Sequence, residues 1–274
     1  MTKIIGVTPK GLDQHGLFVR EGALSKVPAA FAPVVAAARE GITAAFGPEL
    51  LDSAYLYGSI PRGTAVPGQS DLDLLLALRR PPTAADRSAA DALQAGLDAR
   101  FEQINGAGIL LFGAETLLSE LERHDLGWFV ACLCTPLLGP DLAERLPRYR
   151  ADSLLARETN GDLGRLLPRW QARATAAGTE AERRTLSRGA ARTIVRAGFT
   201  LVMPRWQGWT SDLAESAEVF ARYYPEHGDR MRAAAAIARA GSTDPRALAL
   251  LLTELGPWLA EEYAAVHGVK TPRP

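Results

Sequence analysis

The segment Tyr55-Leu56-Tyr57-Gly58-Ser59, continued by Arg62-Gly63-Thr64 and then Ser70-Asp71-Leu72-Asp73-Leu74, constrains this chain more than any other. It reads as a strand over about 53–57, a glycine-serine turn, a short helix, and a second strand over about 72–78. Side chains two apart on a strand share a face, so Asp71 and Asp73 project together while Leu72 and Leu74 face the core. Neighbouring carboxylates repel unless a cation lies between them, and a hard divalent ion that prefers oxygen, Mg²⁺ above all, suits that place. The Gly58-Ser59 turn opens a helix whose first backbone N–H groups can hold phosphate. A metal beside a phosphate cradle points to nucleotide chemistry. The bland alternative is a surface loop with an acidic strand end. The run Leu74-Leu75-Leu76-Ala77-Leu78 argues against it, because acids at a buried strand need a reason to be there.

Beyond about residue 150 the strand signals vanish, and helical candidates fill 151–157, 161–177, 180–203, 212–223, 228–240, 245–255 and 257–266. Upstream, helices are expected over 29–46, 84–103, 115–122 and parts of 128–138, with a short strand over 109–112 and another near 2–7 or 17–20. Asp212, with Glu215 three residues on, fits a helix cap. Arg188, Arg192 and Arg196 recur every four residues and form one helical stripe. It is either a solvated face or a set of guanidinium forks for phosphate.

The stretch YLYGSIPRGTAVPGQSDLDLLLAL resembles the nucleotidyltransferase superfamily that includes DNA polymerase beta, whose signature is Gly-Ser, a spacer, and Asp-x-Asp on the next strand. With a helical region following it, the chain looks like the aminoglycoside adenylyltransferases. The run Leu137-Leu138-Gly139-Pro140-Asp141-Leu142, the Arg192-to-Arg196 helix and the turn over 209–212 add to that likeness. The resemblance implies an α+β fold. An N-terminal nucleotidyltransferase domain (1–145), a mixed sheet with flanking helices, precedes an all-helical domain (150–274). It also implies Mg²⁺-dependent transfer of a nucleoside monophosphate, AMP from ATP, to a hydroxyl of a small molecule of the aminoglycoside class. In that scheme Gly58 and Ser59 hold the triphosphate and Ser70 bonds a phosphate. Asp71 and Asp73 ligate Mg²⁺, and Arg196 and Arg192 reach phosphate from the second domain.

Enzymes of this type carry a third carboxylate on the next strand, where it completes the metal site or acts as general base. Here that strand reads Gly106-Ala107-Gly108-Ile109-Leu110-Leu111-Phe112-Gly113, without an acid. The substitutes open to the chain are Glu102 and Glu115, or Glu158, Glu180 and Glu182 of the helical region. Failing those, the chain is a slow or inactive nucleotide binder. This departure motivates a second expectation, an antitoxin-like or degenerate nucleotidyltransferase that acts on or binds a protein.

The 274 residues carry no net formal charge, which disfavours nucleic acid as partner and leaves nucleotide and a small acceptor. Cys132 and Cys134 read as buried thiols, and such low cysteine usage fits a reducing cytoplasm. No uninterrupted apolar run reaches the roughly 18 residues of a membrane span, and no signal peptide is expected. His15, His227 and His267 read as isolated surface residues, and a catalytic His124-Asp125 pair is disfavoured. Trp206 and Trp209 either stack on a base or sugar or pack between helices, and Trp128 is a candidate pocket wall. The oligomeric state is left open.

Overall fold

The computed structural model describes residues 10–273, so the strand expected near 2–7 lies outside it. The chain divides into two compact units. One is Val19–Arg148. The other runs from Tyr149 onward and includes the residues up to Phe18.

In the first unit, α1 (Ala32–Leu50) is interrupted at Gly47, whose φ of 59° breaks the helical path ahead of Pro48. β1 (Leu51–Tyr57) and the single turn α2 (Ser59–Arg62) follow. β2 (Leu72–Leu78) leads to α3 (Ala84–Arg100), whose start is fixed by a reciprocal cap between Thr83 and Asp86. β3 (Ala107–Gly113), the short α4 (Ala114–Leu117) and β4 (Thr135–Leu138) complete the unit. The sheet order is β3-β2-β1-β4. β1 is antiparallel to both β2 and β4, and β3 is parallel to β2, which makes the sheet mixed.

From Leu74 to Leu78 β2 is apolar because both sheet faces are covered. Leu74 and Leu76 pack with Val34, Ala38 and Ile42 of α1 and Leu97 of α3. On the other face, Leu75 and Ala77 pack with Tyr55, Leu117 and Val130. The 22-residue stretch Ala29–Leu50 has the length and apolarity of a membrane span, but its apolar face is part of this core. Among the described residues no other helix has that length and composition. The outer edge of β3 is closed locally. Ala107 and Ile109 donate their amides to Asp98 Oδ1 (2.7 Å) and Gln94 Oε1 (2.6 Å) of α3, which removes two free edge donors.

The second unit is helical: α5 (Ser153–Asn160), α6 (Leu163–Ala176), α7 (Glu180–Trp206), α8 (Leu213–Tyr223), α9 (Gly228–Ala240), α10 (Pro245–Ala249) and α11 (Gly256–His267). Asp152, Thr179 and Asp212 cap α5, α7 and α8 through their side chains, each accepting an orphan amide of the first turn. Gln207, at φ 58°, ends α7 in the left-handed conformation.

Several expectations need correction. Of the stretch 128–138, expected to be helical in part, 129–133 is helical and its end is a strand. Two π-helical turns, Arg123–Gly127 and Phe129–Leu133, are followed by β4. Lys10–Phe18, counted with the first domain in the division at 145–150, groups with the helical unit, where Leu17 bridges Arg150 and the Phe18 amide bonds the Tyr149 carbonyl. His227 is stacked on Trp258 with ring centroids 3.6 Å apart. His267 is tied at both nitrogens, to Ser153 Oγ (2.7 Å) and the Leu201 carbonyl (2.9 Å). Cys132 and Cys134 are free, buried thiols as expected, and burial pushes the Cys132 thiol up to about 12.

Candidate active site

The two aspartates stand at the start of β2, where the chain enters the sheet from the 66–70 turn. Asp73 lies opposite Tyr57 of β1 and Gly108 of β3. Its carboxylate is seated between two glycines. A Cβ on Gly58 would lie 2.3 Å from Asp73 Oδ2, and one on Gly108 would lie 3.9 Å from Oδ1. Gly58 also has φ +81°, a region that favours glycine. Position 58 therefore has two separate reasons to lack a side chain, one in the backbone and one in the acid it accommodates.

Ser59 follows directly as the first residue of α2, and no side chain caps that turn. A helix of four residues contributes little dipole, so phosphate affinity here would come from the Ser59 hydroxyl and local N–H groups rather than from a macrodipole. Ser70 Oγ accepts the Val66 N–H at 2.9 Å, which closes the turn ahead of Asp71. Asp71 Oδ1 accepts from Asn105 Nδ2 at 3.2 Å. Gly58, Ser59, Ser70, Asp71 and Asp73 thus belong to one edge of the first unit. Asp71 and Asp73 are both half-buried, neither sealed in the core nor fully solvated.

Arg192 and Arg196 lie on α7 of the helical unit. Arg192 is half-buried, and its Nε donates to the Ala238 carbonyl at 3.2 Å, in the last turn of α9. Arg196 is exposed. Arg188 of the same stripe buries its Nε without a hydrogen-bond acceptor.

The third-acid candidates separate clearly. The residues of β3 that share the Asp73 face are Gly108, Leu110 and Phe112, and Leu110 is 38% exposed there. Glu115 sits past the opposite end of β3, on the order of 20 Å along the strand from Gly108. Glu158 is buried and bonded by Arg157, Thr271 and Arg273. Burial pushes its carboxyl up, and those bonds outweigh this and hold it below the ordinary range. Glu182 closes the α7 capping box, and the Thr179 amide and hydroxyl lower its carboxyl. Glu180 is an exposed first-turn residue. Glu102 alone is at the correct end of the sheet, exposed on the turn that precedes β3.

The aromatic candidates are structural. Trp206 and Trp209 both meet Phe199 edge-on, at 5.6 and 5.4 Å, and Trp209 also meets Phe18 at 5.6 Å. Trp128 is buried at 5% exposure.

No family model matches the chain, and no curated protein matches it. Among solved structures it is similar to spectinomycin adenyltransferase AAD(9) from Enterococcus faecialis, determined with ATP and spectinomycin. The match has a TM-score of 0.52 and 15% identity, and covers 84% of this chain and 98% of that one. The fold is nucleotidyltransferase-like. At this identity the likeness extends to the fold: a mixed four-stranded sheet with flanking helices, then a helical region.

The residues at the edge of β2 fit a divalent cation. The donors are carboxylate oxygens, and Gly58 leaves room at Asp73 that a Cβ would fill. Among the described residues no third His, Cys, Asp or Glu joins them. A pair of carboxylates with the rest of the shell supplied by phosphate oxygens and water is the usual arrangement for Mg²⁺ in nucleotide sites.

Proposed function

We infer that this chain is a nucleotidyltransferase that moves a nucleoside monophosphate, AMP from ATP, onto a hydroxyl of a small molecule. The observation that carries this reading is the Asp71/Asp73 pair, with Asp73 seated against Gly58, at the edge of a sheet whose fold is shared with AAD(9). Asp71 and Asp73 would hold Mg²⁺, which supplies charge neutralisation and orientation to the phosphates. Ser59 and the Gly58 turn would grip the triphosphate, Ser70 would donate its hydroxyl proton to a phosphate oxygen, and Arg192 and Arg196 are phosphate ligands on the resemblance alone. The acceptor hydroxyl attacks the α-phosphorus and loses its proton to water, the bond to the β-phosphate oxygen breaks, and pyrophosphate leaves. The AAD(9) structure contains spectinomycin, so an aminoglycoside-type acceptor is the first class to try. The cytoplasm, where ATP is abundant, is the compartment that fits.

The direct test is purified protein with ATP, Mg²⁺ and an acceptor panel, read by pyrophosphate release and product mass. The wild type should give an adenylylated product that Asp71→Asn and Asp73→Asn lose. Unchanged turnover in both variants would sink the metal assignment.

One observation favours a second reading. Gly108, Leu110 and Phe112 occupy the strand face where a general base belongs. A nucleotide-binding module, or an antitoxin-like nucleotidyltransferase directed at a protein, is consistent with that. A stoichiometric protein retained by the tagged chain in its source cells, with no small acceptor turned over, would favour it.

A further inference from the structure

We propose that Asn105 is the positioning residue of the carboxylate pair, taking on part of the work that a third acid from the next strand would do. The inference rests on the nucleotidyltransferase reading above. Asn105 makes two bonds to consecutive residues of the acidic segment: its amide N–H donates to the Ser70 carbonyl at 3.0 Å, and its Nδ2 donates to Asp71 Oδ1 at 3.2 Å. The next ladder bond, Leu72 N–H to the Gly106 carbonyl at 2.8 Å, continues into β2. Gly68 N–H to the Gln103 carbonyl, 2.9 Å, ties the far side of the same turn. The segment 103–106 is therefore tied to 68–72 through Gln103, Asn105 and Gly106, and the Asn105 side chain bonds the carboxylate.

The chemistry of the contact matters more than its existence. Asp71 begins where the strand begins, so its χ1 is not held by a ladder on both sides. A carboxamide fixes one oxygen and leaves the other to a cation. It also adds no positive charge that would compete with that cation, as an arginine partner would. Three other acids, by contrast, meet guanidinium groups: Asp86 meets Arg80, Asp141 meets Arg20 and Glu158 meets Arg273. Asp71 meets a neutral donor. Asn105 is exposed, so its side chain is not held there by packing. Replacing it leaves the backbone bonds of the turn intact.

The test is Mn²⁺ titration of the full chain with bound ATP, read by electron paramagnetic resonance of free Mn²⁺, for wild type, Asn105→Ala and Asn105→Asp. Calorimetric ATP binding without metal and thermal melting run alongside. Asn105→Ala should weaken Mn²⁺ by about 10-fold, the usual effect of losing a partner that orients a metal ligand. Its metal-free ATP affinity and melting temperature should match the wild type. Asn105→Asp should bind Mn²⁺ at least as tightly as wild type, because a third carboxylate then faces the cation. Equal Mn²⁺ binding by wild type and Asn105→Ala overturns the proposal and leaves the nucleotidyltransferase reading standing. A large drop in melting temperature for Asn105→Ala also overturns it, since the role is then structural. Absence of Mn²⁺ binding by the ATP-loaded wild type refutes the nucleotidyltransferase reading itself.

Discussion

The two ends of β2 carry acids in opposite company. Past its C-terminal end, Asp86 accepts two bonds from Arg80, at 2.6 and 3.0 Å, and further bonds from the Thr83 amide and hydroxyl. These hold its carboxyl well below the usual range, the Arg80 bond foremost. At the N-terminal end, Asp71 accepts from a neutral amide, and Asp73 is placed against glycine. The same strand thus separates an acid neutralised in place, which serves the fold, from Asp71, whose carboxylate meets a neutral amide and keeps its charge for a cation. A carboxylate bonded to a guanidinium and a helix cap has little left to offer a ligand. Half-buried carboxylates side by side are costly in the bare protein and favourable once a divalent ion is bound.

The largest effect that can break this comparison is on turnover. Asp71→Asn and Asp73→Asn should each lower nucleotidyl transfer by about 10³-fold, the scale of losing metal-held charge stabilisation. For Asp71→Asn the melting temperature should hold or rise, because its carboxylate is bonded by a neutral amide. A fall in melting temperature with activity kept would make these acids structural and erase the contrast. Gly58→Ala comes next. Its new methyl meets Asp73 Oδ2 and its backbone sits at φ +81°. Transfer should fall by about 10²-fold as the carboxylate is displaced. Stability should drop by about 1–3 kcal/mol, because φ +81° with ψ −153° is a region essentially reserved for glycine, as denaturant melts would read.

Much of this edge is legible in the sequence, because its information is local. β2 is found where its run of leucines stops at Arg79-Arg80-Pro81, and the Gly-Ser turn ahead of it follows from spacing alone. Most helices of the second unit follow from periodicity and caps such as Asp212 in the same way. What is missed depends on partners distant in sequence. β4 is hidden in an apolar run that reads as helix. It becomes a strand by pairing with β1, and its edge position tolerates Pro136. Asn105 is a plain turn residue until the parallel register sets Ala107 beside Leu72 and brings it to Asp71. Lys10–Phe18 carries little signal beyond the short strand expected near 17–20, seen as isolated bridges at Leu17 and Phe18. Pairing with residues 149 and 150 assigns it to the helical unit.

At the opposite end of the strand the predicted effects are on stability. Asp86→Ala removes the capping partner of Thr83 and the acceptor of Arg80, and should cost about 2 kcal/mol in urea melts with kcat unchanged. Because the folded carboxyl is depressed, its contribution is present above the unfolded value of about 4 and is lost as pH falls through the folded value. The wild type should therefore lose stability below about pH 4 more steeply than Asp86→Ala. Equal acid profiles would mean that Arg80 and Thr83 do not hold the charge.

The smallest effect comes from the helical unit, where His267 links α5, α7 and α11 through Ser153 and Leu201. Burial pushes this imidazole below its ordinary value, partly opposed by the bond to the Leu201 carbonyl. The neutral ring can accept at Nδ1 from Ser153 and donate at Nε2 to Leu201 at once, whereas the imidazolium cannot accept from Ser153. The unfolded chain therefore takes up the proton first. The contribution is full above the unfolded value of about 6.5 and is lost as pH falls through the folded one. Melting temperature should decline from pH 7 towards pH 5, and His267→Gln should flatten part of that decline. His227, lowered in the same direction by burial against Trp258, supplies the remainder.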